Sequence, residues 1–248
     1  VSEVFGADLA EVYDLVYGTR GQDFPAEAAG VAQLIRARRP AASSLLDVGC
    51  GTGEHLRALR GLFDRVAGVD LSEAMVGVAR AKLPGVDVHV GDMAELALGC
   101  RFDAVISLST AVAYLPSVEA MCRAVARMTA HLNPAGVLVV EPWYFPERFL
   151  DGHVAADIIR GADRTISRVS RTERLDRAAC VESHYVVAGA AGIRHFSERQ
   201  LFGLWARGEY EDAFARAGCT VEYLPDVQSG RGLFVGIAGD GVAPAASA

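Results

Sequence analysis

Leu45-Leu-Asp-Val-Gly-Cys-Gly-Thr-Gly-Glu-His-Leu56 is the stretch that decides the fold of this chain. A buried strand, Ser44 to Val48, runs into glycines at 49, 51 and 53 and then into a helix from Glu54 to Arg60. Strand, glycine turn and helix make the first crossing of a βα unit, and in an open parallel sheet ligands bind outside the carboxyl ends of the strands. Glycine lets the backbone approach a ligand closely and take angles closed to other residues. Many βα turns need a glycine for geometry alone, so the flanking sequence has to decide what this one means.

Around this turn, short apolar runs alternate with amphipathic stretches over the first 142 residues. Pro25 to Arg39 reads as a helix with an apolar side built from Ala28, Val31, Ala32, Leu34 and Ile35. After the glycine turn come Arg65–Val69 (strand), Glu73–Lys82 (helix, with Ser72 as its N-cap) and Val86–Val90 (strand). Phe102–Ser107 is the fourth strand and Glu119–His131 the following helix. Val137–Glu141 is the fifth strand, introduced by an Asn133-Pro-Ala-Gly136 turn. This alternation implies right-handed crossovers and a parallel sheet covered on both faces.

Beyond Pro142 the pattern changes. Val154–Ile159, Thr165–Ser170, Val181–Val187 and Ile193–Phe202 read as an antiparallel meander with polar residues between the strands. Glu209–Ala217 is again helical and ends at Gly218; Thr220–Leu224 and Leu233–Ala238 then complete the first sheet. The expected architecture is α/β, a seven-stranded, mostly parallel sheet with helices on both faces and an inserted antiparallel β unit. Residues 1–142 and 208–239 form the main domain with its N-terminal cap helices, 143–207 form the insert, and 240–248 are expected to be a disordered tail.

Composition excludes several classes of function. The chain has 248 residues, 51% of them apolar and 22% charged, enough for a core that needs no disulfide or structural metal. A net charge of −7 argues against a surface built to neutralise many phosphates, so nucleic acid is not an expected partner. The five cysteines (50, 100, 122, 180 and 219) show no CxxC and no clustering with histidine, so neither a metal site nor a disulfide framework is expected. Val1 to Arg20 carries acids and aromatics where a signal peptide needs a basic start and an apolar run, and no membrane span is visible. A cytoplasmic location is the resulting expectation.

Two acids give the glycine turn its meaning. Its spacing is GxGxG, with Glu54 where a dinucleotide fingerprint would place its third glycine, which works against a pyrophosphate at the helix end. Asp70 ends the second strand, where a carboxylate can accept both ribose hydroxyls. Asp92 ends the third, placed to accept from an exocyclic amine, with Leu71 and Met93 beside an adenine ring. Each acid alone is more often a helix cap or turn residue. In register with three successive strands, the glycine loop and both acids make a nucleoside site.

These residues resemble the class I, Rossmann-like methyltransferases that use S-adenosylmethionine, over residues 45–142. Phe102-Asp-Ala-Val-Ile-Ser107 and Asn133-Pro-Ala-Gly-Val-Leu-Val-Val140 belong to the same resemblance. It implies that Gly49 and Gly51 lie against the amino-acid part of the cofactor, Asp70 holds the ribose, and Asp92, Met93 and Leu71 the adenine, with Leu108 and Tyr13 closing the pocket. S-adenosylhomocysteine is the implied product, and no metal is called for.

A narrower resemblance runs nearly end to end, to the N-methyltransferases of dTDP-linked amino-deoxysugars in antibiotic biosynthesis. It rests on Ala10-Glu-Val-Tyr-Asp-Leu-Val-Tyr17, Val139-Val-Glu-Pro-Trp-Tyr-Phe-Pro-Glu147, Arg168-Val-Ser170 and Ser229-Gly-Arg-Gly-Leu-Phe234. Three positions depart from relatives: Gly49 stands where they often have Ala, Phe5 where a Tyr stands near the sugar, and Tyr114 where some have His. Phe5 or Tyr17 is implied to touch the sugar. Tyr13 and Tyr17 are one helical turn apart, so both rings can face one cleft.

Ser229 and Arg231 offer oriented donors for a diphosphate, with Arg168 as a second local anchor. Trp143 and Tyr144 read equally as stacking partners for a base and as packing for the insert. His55, His131, His184 and His195 have no acid partner visible in the sequence and read as structural or solvated. Tyr114 is the candidate to accept the amine proton or to orient the amine. The expected partner is a nucleotide-linked amino sugar, and a homodimer stays open. Two other readings also stay open: a methyltransferase for another small acceptor (O-methyl or glycine-type N-methyl), and a non-catalytic cofactor-binding protein of the same fold.

Overall fold

The computed structural model of the chain describes residues 5–239; the tail at 240–248 lies outside the described residues. Two helices lead, α1 (Ala7–Thr19) and α2 (Phe24–Arg38). The second opens at Asp23, which accepts from Ala26 N at 3.0 Å, with Pro25 in its first turn. Next come β1 (Ser44–Val48), α3 (Glu54–Leu59), β2 (Arg65–Asp70), α4 (Glu73–Lys82), β3 (Asp87–Val90) and β4 (Phe102–Ser107). A short 3-10 turn, Ala111–Tyr114, leads to α5 (Val118–Ala130) and β5 (Leu132–Val140). An antiparallel meander follows: β6 (Val154–Arg160), β7 (Arg164–Leu175), β8 (Ala178–Gly189) and β9 (Gly192–Gly203). The chain then closes with α6 (Arg207–Arg216), β10 (Cys219–Leu224) and β11 (Leu233–Ala238).

The larger sheet runs β3-β2-β1-β4-β5-β11-β10. Strands β1 to β5 pair in parallel, while β11 lies antiparallel between β5 and β10. Strand order reverses at β1, with β2 on one side and β4 on the other, and a crevice opens at their carboxyl ends. Alternation along each strand splits the core into two layers. Leu46, Val105 and Leu138 meet Met121, Val125 and Met128 of α5 and Phe214 of α6 on one face. Leu45, Ala104 and Val137 meet Val31, Ala32 and Ile35 of α2 on the other.

The strands β7 and β8 are longer than the sequence reading, and the start of β5 differs in a way that changes the pairing. The strand β5 begins at Leu132, opposite Phe102, and its register then jumps to Ala104 opposite Val137. Asn133 to Gly136 therefore forms a bulge within the strand, pinned where Asn133 Nδ2 donates to Asp103 Oδ1 at 2.9 Å.

The four-stranded sheet, in order β6-β7-β8-β9, is inserted between β5 and α6. Two apolar clusters attach it. Leu9, Val12 and Val16 of α1 pack on Ile159, Ile166, Tyr185 and Val187, and Trp143 and Phe149 pack on Phe202 and Ala179. Beside these apolar residues the inner face also buries polar ones, while several apolar side chains stand on the outer face. Arg168, Ser170, Ser183, Glu198 and Gln200 are buried on its inner face, whereas Ile158, Val169, Val186 and Leu201 are exposed. Among the described residues no helix is long and apolar enough to cross a membrane.

Candidate active site

The glycine turn and Asp70 are a single hydrogen-bonded unit. Asp70 Oδ2 accepts from Gly51 N at 2.7 Å and Oδ1 from Ser72 N at 2.9 Å, while Gly49 N and Cys50 N donate to Val69 O at 2.7 and 3.0 Å. Burial raises the Asp70 carboxyl, and the backbone donors of Ser72 and Gly51 pull it back. Gly49 has φ +79°, and a Cβ there would stand 2.5 Å from Ala111 Cβ, so the 3-10 turn leaves no room for a side chain. The other predicted cofactor residues surround this unit. Asp92 is exposed and its Oδ1 accepts from Ala94 N at 2.8 Å; Leu71 is 71% exposed, an apolar surface at the strand ends; Met93 is half-buried beside Gly49.

A small cleft lies against the turn, lined by Tyr13, Asp47, Gly49, Gly51, His55 and Leu108 among others. The sequence reading placed Tyr13, Gly49, Gly51 and Leu108 at such a pocket and missed Asp47 and His55. Asp47 is 2% exposed, its Oδ2 has no hydrogen-bond partner among the described residues, and burial pushes its carboxyl up to about 7. In the sequence it had read only as part of the buried strand Ser44 to Val48. His55 is corrected in turn: its Nε2 lies 2.8 Å from Glu27 Oε2, an acid on α2, and Gln22 Nε2 joins Glu27 to Ser109 at 3.2 and 3.0 Å. His184 likewise has a partner, Glu182, at 3.2 Å.

Four aromatic rings separate this cleft from the inner face of the four-stranded sheet. Tyr13 and Tyr17 lie 4.4 Å apart between centroids, Phe5 meets Tyr13 at 6.2 Å and Tyr114 at 5.1 Å, and Tyr114 packs on Phe202 at 4.4 Å. Burial raises the phenols of Tyr13 and Tyr114 well above the usual range and that of Tyr17 to about 12, so a phenolate is costly at all three. Phe5 is held through its carbonyl, which accepts from Ser72 Oγ at 2.8 Å; Ser72 also hydrogen-bonds Asp70.

On the inner face Arg168, 6% exposed, donates from Nη2 to Ser183 Oγ at 3.0 Å and lies 3.5 Å from Asp157 Oδ2 and 3.4 Å from the Tyr185 hydroxyl. Arg231 is elsewhere: its Nη2 donates to Glu141 Oε1 at 3.1 Å, and Ser229 Oγ donates to the same oxygen. Glu141 is 2% exposed and also accepts from Ser109 N at 2.7 Å. The sequence reading joined Arg168 and Arg231 as one anchor; the two guanidiniums share no partner among the described residues, because each is held by an acid of its own sheet. Among the described residues Arg231 Nε and Gln228 Nε2 are buried donors without a hydrogen-bond partner, and Gln228 had not been singled out. Trp143 is buried, stacked on Phe202 at 4.2 Å, so its ring joins the insert to the core. Its neighbour Tyr144 is exposed, with the Arg231 guanidinium 5.8 Å from its ring centroid.

Comparison with known proteins places this site in a class. Residues 45–136 match the family model described as a methyltransferase domain, and the fold and the glycine unit are those of a methyltransferase. Over 235 residues the chain is 49% identical to dTDP-3-amino-3,4,6-trideoxy-alpha-D-glucopyranose N,N-dimethyltransferase of Streptomyces venezuelae, covering 94% of this chain and 99% of that protein. It is 43% identical to dTDP-4-amino-2,3,4,6-tetradeoxy-D-glucose N,N-dimethyltransferase of Saccharopolyspora spinosa over 95% of each chain. The S-adenosylmethionine-bound structure of CalS10, an amino pentose methyltransferase from Micromonospora echinaspora, matches with a TM-score of 0.85 at 51% identity, over 91% of this chain and 96% of that one. Streptomyces venezuelae DesVI matches with a TM-score of 0.91 at 49% identity, over 94% and 100%. The chain belongs to this family of amino-sugar N-methyltransferases.

Proposed function

We propose that the protein transfers methyl groups from S-adenosylmethionine to the amino group of a dTDP-linked amino-deoxyhexose, releasing S-adenosylhomocysteine, in antibiotic sugar biosynthesis. The observation that carries this reading is the buried polar face of the inserted sheet, set across an aromatic layer from the glycine unit. A face that served only as packing would not bury the Arg168 guanidinium and the Glu198 carboxylate among Ile166, Tyr185 and Val187.

The cofactor fits the residues present. The unpartnered Asp47 Oδ2 suits an ammonium group, Gly49 and Gly51 admit a close backbone approach, Asp70 retains acceptor capacity for ribose hydroxyls, and exposed Leu71 with Met93 suits an adenine face. When bound, the cofactor supplies a methyl group activated on a sulfonium. The buried donors Arg231 Nε and Gln228 Nε2, beside Ser229 and exposed Tyr144, suit the diphosphate and base of a sugar nucleotide. Arg168, Ser170 and Ser183 then face the sugar as the floor of a lid, and Phe5 and Tyr17 form its wall.

Direct displacement at a methyl carbon disperses charge and needs no metal. Holding amine and donor in line and dry supplies most of the acceleration; effective molarities of about 10⁵ M correspond to about 7 kcal/mol. Tyr114 keeps its proton and acts here by orienting the amine. We also place the enzyme in the reducing cytoplasm, a reading that its five free thiols support. Incubation with labelled S-adenosylmethionine and a panel of dTDP-3-amino- and dTDP-4-amino-deoxyhexoses, followed by mass spectrometry, tests the proposal. Addition of one or two methyl groups to an amino sugar is expected; transfer to hydroxyl acceptors alone would replace it.

A further inference from the structure

Glu198 lies in the middle of β9, on the inner face of the inserted sheet, and is 8% exposed. Its cross-strand partner is Ser183, whose hydroxyl is already taken by Arg168, and Gln200 Nε2 donates to Glu198 Oε2 at 3.1 Å. The backbone N–H groups of Phe5 and Gly6 also hydrogen-bond the carboxylate. Among the described residues no cation pairs with it; Arg168, on the same face, pairs with Asp157. A carboxylate buried this deeply without a cation is costly to keep ionised, and burial raises it to about 7.

Apart from Arg168, which is paired with Asp157, the groups that act on it carry no positive charge. Asp8 of α1 pushes the carboxyl further up, Tyr17 of α1 and Tyr114 of the 3-10 turn are neutral phenols, and Tyr185 of β8 lies beside Arg168. Glu198 is tied to the backbone of Phe5, whose ring lies 5.1 Å from Tyr114 and 6.2 Å from Tyr13, so the carboxylate stands at the aromatic layer that divides the lid from the cofactor cleft. An ammonium is the ligand that such a site lacks.

We propose, on the reading that the acceptor is a sugar amine, that Glu198 receives this amine and takes its proton. The ammonium gives one proton to the Glu198 carboxylate and leaves a nitrogen lone pair. That pair forms the new N–C bond while the C–S bond breaks, with its electrons staying on sulfur. The product is a methylammonium; once Glu198 has released its proton to solvent, the same carboxylate takes a proton from this nitrogen before a second transfer. Geometry and charge state both set Glu198 apart from Tyr114, whose phenol is too weak an acid to be ionised for this task.

The test compares wild type with Glu198→Gln, which keeps the side-chain volume and removes the base. Two carboxyls, Asp47 and Glu198, are raised to about 7, so difference infrared titration should show both near neutrality in the wild type and only the Asp47 signal in Glu198→Gln. At about pH 7 the variant should lose about 100-fold in kcat/KM, recover toward wild type by about pH 9 as solvent deprotonates the amine, and bind S-adenosylhomocysteine unchanged. A loss that does not vary with pH, a wild-type rate profile in the variant, or a neutral-range carboxyl signal that does not diminish in the variant overturns the assignment. Should the Gln variant fail to bind S-adenosylhomocysteine, Glu198→Asp decides: a slower enzyme that keeps its acidic limb supports Glu198 as the base, and an unchanged rate overturns it. A wild type that methylates no amino sugar defeats the proposed function instead, so the two failures are distinguishable.

Discussion

The two halves of the site spend their polar residues in opposite ways. At the carboxyl ends of the larger sheet, polar groups occupy turns: Asp70 accepts from Ser72 N of its own loop and from Gly51 N of the neighbouring glycine turn, and Asp92 from Ala94 N of its own loop. On the inserted sheet they occupy mid-strand positions, where Arg168, Ser170, Ser183, Glu198 and Gln200 form a buried polar face. The first arrangement makes a rigid cradle whose shape is set by the backbone. The second is a side-chain surface, able to change its specificity by single substitutions without disturbing the cradle.

If that division is right, substitutions in the cradle should act on the cofactor and those on the lid on the sugar. The largest effect is expected for Asp70→Ala, which removes an acceptor for ribose and frees Gly51 N and Ser72 N: calorimetry should show cofactor affinity reduced by about 100-fold or more. Asp47→Asn should weaken cofactor binding by about 10-fold and, at the same time, stabilise the free protein at alkaline pH. The sign follows from its raised carboxyl. Because the folded value, about 7, lies above the unfolded one, near 4, the native state holds the extra proton between them, and stability is lost as pH rises through 7. Thermal melting at about pH 8 should therefore find the variant about 1–3 kcal/mol more stable, with the difference vanishing near pH 4.

Smaller effects belong to the lid. Ser183→Ala removes the hydroxyl that positions Arg168 and should raise KM for the sugar nucleotide by about 5-fold while leaving cofactor affinity alone. Tyr114→Phe should lower turnover by less than about 10-fold, since its phenol orients the amine without ionising. A loss of about 10⁴-fold there, with both ligands still bound, would place the proton chemistry on Tyr114 and erase the contrast with Glu198.

The same contrast explains what was legible in the sequence. Glycines 49, 51 and 53 with Asp70 and Asp92 are visible because turns concentrate their signal within a few residues of a strand end. The alternation of strand and helix is visible for a similar reason, and so is the change to a meander after Pro142. The polar face of the insert is not, because a strand with alternating polar residues reads as half-solvated whichever side is buried. Only the three-dimensional position of α1 and the aromatic layer turns that face inward, which is why Glu198 and Gln200 went unnoticed. His55 and Glu27 meet across 28 positions, and Asp47 hides inside an apolar strand. The bulge at Asn133 to Gly136 was read as a turn because its residues are turn formers; pairing of Leu132 with Phe102 keeps it within the sheet.

The most direct measurement is a crystal structure of the protein with S-adenosylhomocysteine and a dTDP-amino-deoxyhexose bound together. We expect the adenosine at Asp70 and Leu71, the sugar between the aromatic layer and the inner face of the inserted sheet, and the amine nitrogen within hydrogen-bond reach of Glu198. A sugar bound on the Val169, Val186 and Leu201 face, or away from the inserted sheet altogether, would contradict the division of labour between the two halves.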